Sequence, residues 1–136
     1  MTMSQLQPGL WVDDKRSSVF SWGGQGSYGN VSTVSDHHLW VLNKDGYGKG
    51  SWFTQDPPNS VFRSSYRTVR GASATCHGVG YYLGGYAESN TDDRITEGSR
   101  VFDGLLTYNM STQKWTNESI EALGYATWSG TATCIP

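Results

Sequence analysis

The 136 residues predict an all-β chain built of four-stranded antiparallel sheets, and three observations carry that reading. Glycine and aromatic residues are abundant together, with Gly 17, Trp 6 and Tyr 8 against only 16% charged residues, the composition of aromatic strands broken by frequent turns. Apolar and β-branched residues come in short runs bounded by Gly, Pro, Asn and Asp, without helical spacing. The chain also repeats itself. Gly71-Ala72-Ser73-Ala74-Thr75-Cys76 returns as Gly130-Thr131-Ala132-Thr133-Cys134, one residue shorter, and Ser21-Trp22-Gly23-Gly24 returns as Tyr82-Leu83-Gly84-Gly85. The period is roughly 60 residues, which places it among repeat architectures.

Taken in order, the first unit covers about 9–54. Strands are expected near 9–12, which stops at Asp13-Asp14, and near 18–22, which runs into Gly23-Gly24. A third, near 38–42, ends at Asn43, and a fourth, near 51–54, carries Trp52. The glycine-rich stretch from Gly46 to Gly50 reads as the hairpin connection between these last two. The second unit covers about 71–117, with strands near 72–76, 79–83, 105–108 and 114–117, the last carrying Trp115. A ninth strand near 130–135 opens a third unit at about 128–136. The single helical candidate, 117–123, is about two turns long and ends at Gly124, so it reads as a linker turn.

This order of features, a diglycine closing strand two (Gly23, Gly24; Gly84, Gly85), an aromatic-rich strand three ending at Tyr108 and a Trp on strand four (Trp52, Trp115), resembles the kelch repeat of β-propellers. The run Gly78-Val79-Gly80-Tyr81-Tyr82-Leu83-Gly84-Gly85 is similar to fungal extracellular kelch proteins. The resemblance implies an incomplete kelch-type propeller, two blades and the start of a third. A propeller removes its sheet edges with a ring of about 4 to 8 blades. The remaining blades are therefore expected elsewhere in a longer chain or in an oligomer, and the stop inside a recurring strand favours a fragment. The resemblance also implies an extracellular or cell-surface parent, although the N-terminus has no signal-peptide pattern and no segment suits a membrane span.

A net charge of −2 with dispersed Lys and Arg argues against a nucleic-acid partner. Cys76 and Cys134 lack the paired spacing of a zinc site. They hold equivalent positions on neighbouring inner strands, and a bridge needs Cα atoms within roughly 7 Å. Blades usually splay wider, so buried free thiols are expected, with an inter-blade disulfide as the alternative. Gly24-Gln25-Gly26-Ser27-Tyr28-Gly29 matches a dinucleotide fingerprint literally, but no helix follows to meet a pyrophosphate, so a rim loop is expected. The adjacent His37 and His38 would point to opposite faces of a strand, and with His77 they read as solvated or loop residues. The carboxylates sit in turns and form no fixed acid and base pair. No catalytic, metal-binding or cofactor-binding residue is expected.

The positive case rests on two long connections. One carries Phe62, Arg63, Tyr66 and Arg67, and the other carries Glu88, Asp92, Asp93 and Arg94. Aromatic and Arg residues on loops are enriched at binding hot spots. These residues either recognise a protein or glycan partner or, for Phe62 and Tyr66, pack over the blade as a lid. Asn30, Asn109 and Asn117 head N-glycosylation sequons. The expected function is a non-catalytic binding scaffold, not an enzyme. The alternatives are a piece of a copper radical oxidase related to galactose oxidase, whose propeller holds copper through Tyr and His, and a truncated non-functional product. No such Tyr and His pair can be matched here.

Overall fold

The computed structural model describes residues 7–26, 37–44, 47, 49–119 and 129–136. Two four-stranded antiparallel sheets make up most of it. Sheet one is the meander β1 (Gly9–Asp13), β2 (Ser18–Trp22), β3 (Trp40–Lys44) and β4 (Gly50–Thr54). After helix α1 (Ser60–Ser64) comes sheet two, formed by β5 (Ala72–Cys76), β6 (Val79–Leu83), β9 (Gly104–Asn109) and β10 (Lys114–Ser119) in that spatial order. A hairpin of β7 (Tyr86–Glu88) and β8 (Ser99–Val101) is inserted between β6 and β9. Both sheets are of the blade type, and among the described residues they close no ring.

Alternation along β1 sets the core. Gly9, Trp11 and Asp13 face in while Leu10 and Val12 face out, and β9 buries Gly104, Leu106 and Tyr108 in the same period of two. Register aligns Trp11 with Phe20 and Phe20 with Val41 in sheet one, and Gly80 with Tyr108 and Tyr108 with Trp115 in sheet two. Where the sheets meet, a Cβ at Gly80 would collide with the Trp11 indole, so the missing side chain is what seats that ring. Trp11 Nε1 then donates to the Tyr81 carbonyl at 2.9 Å. Trp115 contacts Trp11, Trp22, Phe62 and Tyr108 with ring centroids 4.9 to 5.8 Å apart, within the range in which aromatic pairs attract. Burial pushes the Tyr108 phenol up to about 12, against a smaller opposing effect of Arg16.

Both diglycine corners have positive φ, 70° and 86° at Gly23 and Gly24, 68° and 92° at Gly84 and Gly85. The first corner bonds to the chain between the sheets, Gly24 N donating to the Thr68 carbonyl at 2.8 Å. Beyond the second, Tyr86 exchanges two bonds with Val69, at 2.9 and 3.1 Å. A Cβ at Gly85 would lie 2.6 Å from the Val69 oxygen.

Five local expectations are corrected. The ninth strand expected near 130–135 does not form, since residues 130–136 make no ladder with β5. Strand β3 begins two residues later than the apolar run suggests, because Asp56 takes the Leu39 amide at 2.9 Å and the His38 ring at 2.6 Å. A helix forms at 60–64, where Asn59 caps it by accepting from the Phe62 amide at 2.9 Å. The proposed linker turn at 117–123 is strand as far as Ser119, and its remainder lies outside the described residues. Finally, Cys76 and Cys134 are joined in a disulfide and are not free thiols. Their Cα atoms are 5.3 Å apart, inside bridging range, because residues 129–134 run alongside β5 and do not splay from it. Ser129 N donates to the Arg70 carbonyl at 2.7 Å, and a Cβ at Gly130 would sit 3.7 Å from that of Ala72.

Candidate metal centre at the rim of sheet two

Strands β5 and β6 are joined by the two-residue turn His77-Gly78, with φ of 51° and 76°. Two successive positive φ values define a turn whose twist matches that of the flanking strands, and glycine supplies the second at no steric cost. The turn leaves Cys76 at the end of β5, half-buried, and exposes His77. Cys134 arrives from the neighbouring segment, also half-buried. One ligand atom from each of Cys76, His77 and Cys134 lies within 4.8 Å of the others. Beside them opens a cleft of about 600 Å³ between the turns that follow β1, β5 and β9. His77 stands on its wall opposite Asp13, Asp14 and Lys15. The Asp13 carboxylate is already engaged, accepting from Arg16 at 2.8 Å and from the Lys15 amide at 3.1 Å, while Arg16 also reaches the Met110 carbonyl.

Two thiolates and an imidazole are the donor set of a site for a soft metal, and three such ligands leave a fourth position open. In the disulfide form the sulfurs carry no thiolate charge and the set is incomplete. This grouping corrects the expectation of a purely non-catalytic scaffold, and with it the expectation that the chain is no enzyme. Reading the chain for zinc spacing missed the site because the cysteines are 58 positions apart and only tertiary structure brings them together. The usable signal was the repeat itself, which puts both cysteines at one position of two recurring segments.

The candidate loop residues come together in one assembly away from this centre. Phe62 is 1% exposed and packs on Trp22 and Trp115, and Arg67 is 2% exposed, donating through Nη2 to the Gly23 carbonyl at 3.0 Å. Asp92, 1% exposed, accepts from the Arg67 amide at 2.8 Å and from Arg94 Nε and Nη2 at 2.8 and 2.6 Å. Arg94 spans the two connections by donating to the Arg63 and Ser65 carbonyls, both at 2.8 Å. At the surface Tyr66 lies under the guanidinium groups of Arg94 and Arg100, at 4.8 and 5.3 Å. Arg63 and Asp93 are exposed, and Glu88 is half-buried at the end of β7. Burial alone would raise the Asp92 pKa, but the bonds from Arg94 and from the Arg67 and Arg94 amides outweigh it and hold the carboxyl below its ordinary value. A carboxyl depressed in this way stabilises the fold above its unfolded pKa, and that contribution is lost as pH falls through the folded pKa. Asp92→Asn is expected to cost about 2 kcal/mol at neutral pH and to flatten the acid limb of a denaturation profile between pH 7 and 2.

Of the other marked residues, Trp115 is buried in the core whereas Trp52 is 36% exposed on β4, a strand that is exposed along its length. Asn109 turns its side chain onto the Ser111 and Thr112 amides, both at 3.0 Å, and Asn117 is exposed on β10. Asn30 and residues 27–29 of the glycine-rich rim loop lie outside the described residues. His37 bonds the Ser65 carbonyl at 2.6 Å, and its pKa is lowered mainly by burial. Tyr82 is buried on β6, its hydroxyl accepting from the Gly71 amide at 2.9 Å.

No helix among the described residues is long and apolar enough to cross a membrane. No family model matches the chain, and no curated protein matches it. The kelch name and the secreted, fungal and glycoprotein descriptions therefore have no support from comparison. The protein-binding role is set aside on the geometry of the Cys76, His77 and Cys134 cluster. What stands is an all-β chain of blade-type four-stranded sheets.

Proposed function

We propose that this chain is part of a β-propeller that carries a transition-metal centre at its rim, with Cys76, His77 and Cys134 as ligands. The observation that carries the reading is the convergence of two sulfurs and an imidazole nitrogen within 4.8 Å. The repeated blade-type sheets, packed through Trp11 and Trp115, support the propeller part. Of the readings the sequence left open, the metal-bearing propeller is the one the cluster favours, with Cys and His where the resemblance to copper oxidases implied Tyr and His. Soft thiolates select zinc or cuprous ion over hard cations such as magnesium. Such an ion, when bound, supplies a Lewis-acidic position for an exogenous oxygen or nitrogen ligand. The protein's part is to fix three ligands at the end of β5, on the tight turn that follows it and on the neighbouring segment, and to leave the 600 Å³ cleft on the His77 side for that ligand to enter.

The test is equilibrium dialysis of the thiol-reduced chain against zinc and, anaerobically, against cuprous ion. About one ion per chain is expected, with uptake abolished by Cys76→Ser and weakened tenfold or more, roughly, by His77→Ala. No uptake by reduced protein, or uptake indifferent to both substitutions, sinks the reading.

A further inference from the structure

Among the described residues, 129–136 are held to the rest of the chain by very little apart from sulfur. Ser129 N to the Arg70 carbonyl is the one backbone bond described for them, and no strand ladder joins them to β5. All are exposed except Cys134, with Ile135 at 82%. The disulfide therefore sets where this segment lies. We infer that a bound metal ion and the Cys76–Cys134 bond are interchangeable staples for residues 129–136, with thiol redox state selecting between them. The inference rests on the metal centre proposed above and adds its regulation.

The chemistry balances with a small-molecule thiol as reductant. Two molecules of thiol reduce the bond by exchange through a mixed disulfide. Two electrons pass to the protein sulfurs, Cys76 and Cys134 each gain a proton, and the small thiols leave as one disulfide. A divalent ion then displaces the two thiol protons to solvent and takes both sulfurs and the His77 nitrogen. The geometry permits this without moving the segment far. Sulfurs sharing a tetrahedral zinc lie about 3.8 Å apart, against about 2 Å in a disulfide, so they part by less than roughly 2 Å. Oxidised chain and metal-loaded chain thus hold 129–136 beside β5, and reduced, metal-free chain lets it go. The two staples are mutually exclusive, since each uses both sulfurs.

The test follows backbone amides of Thr131, Ala132 and Thr133 by 15N relaxation in the full chain under three conditions: oxidised, reduced with zinc, and reduced with chelator. Bound zinc is counted on the same samples. Order parameters near 0.85 are expected in the first two states and below about 0.6 in the third. Zinc at about one equivalent without restored order would overturn the staple while leaving the metal centre standing, whereas absence of bound zinc would remove both. Persisting order in reduced, chelated protein would also overturn it, because packing alone would then hold the segment. Cys134→Ser supplies the control: its segment stays mobile in all three conditions, and order regained with zinc would count against the inference.

Discussion

Cys134→Ser lowers the stability of the oxidised protein by roughly 4 kcal/mol, the chain-entropy value for a bond that closes a loop of this length. The reasoning runs through the unfolded chain. The bond joins residues 58 apart, so the loop it closes contains β6, the β7–β8 hairpin, β9 and β10. Cutting it returns the whole freedom of that loop to the denatured ensemble while removing few folded-state contacts, since residues 129–133 are exposed. Urea denaturation of the variant beside Cys76→Ser and the double variant checks this. All three should agree, because each removes the same bond. A loss below about 1 kcal/mol would mean that strain or residual structure cancels the loop term.

Trp11→Ala is expected to cost about 4 kcal/mol and to loosen the packing between the sheets. The indole is fully buried, stacks 6.0 Å from Tyr108, meets Trp115 edge to face at 5.8 Å, and covers Gly80. Removing it leaves a cavity that the rigid Gly80 backbone cannot fill and takes the indole donor from the Tyr81 carbonyl. Trp11→Phe keeps most of the apolar area and loses the Nε1 bond, so about 1 to 2 kcal/mol is expected there. Chemical denaturation followed by tryptophan fluorescence separates the two, and near-equal losses would assign the stability to the hydrogen bond, not the packing.

The strands of both sheets were legible because short β-branched and aromatic runs are closed by residues that force a turn, as at Asp13-Asp14, Gly23-Gly24 and Gly84-Gly85, and because β1, β6 and β9 keep a period of two. Where a side chain intercepted the ladder, reading failed: nothing local announces that Asp56 will take the amide of Leu39. Helix α1 was hidden by its length, five residues marked only by Asn59 after Pro57-Pro58. Packing of Phe62 was one of the two readings left open for it, but burial of Arg67 and Asp92 could not be foreseen, since it depends on Arg94 joining two connections far apart in sequence. The metal centre was half legible. The repeat aligned the cysteines, but only the parallel course of 129–134 beside β5 makes alignment into contact.

The paired corners at Gly23-Gly24 and Gly84-Gly85 bear on how the two sheets could move. Both corners close onto consecutive residues, Thr68 and Val69, of the single connection between the sheets. A hinge needs backbone whose dihedrals can change without breaking bonds, and these two residues have their carbonyls committed, one to each side. Torque applied to one sheet is therefore passed directly to the other at this point. Together with the Trp11 and Trp115 ring contacts, these bonds oppose a hinge at the connection, so the two sheets are restrained against each other at two separate places.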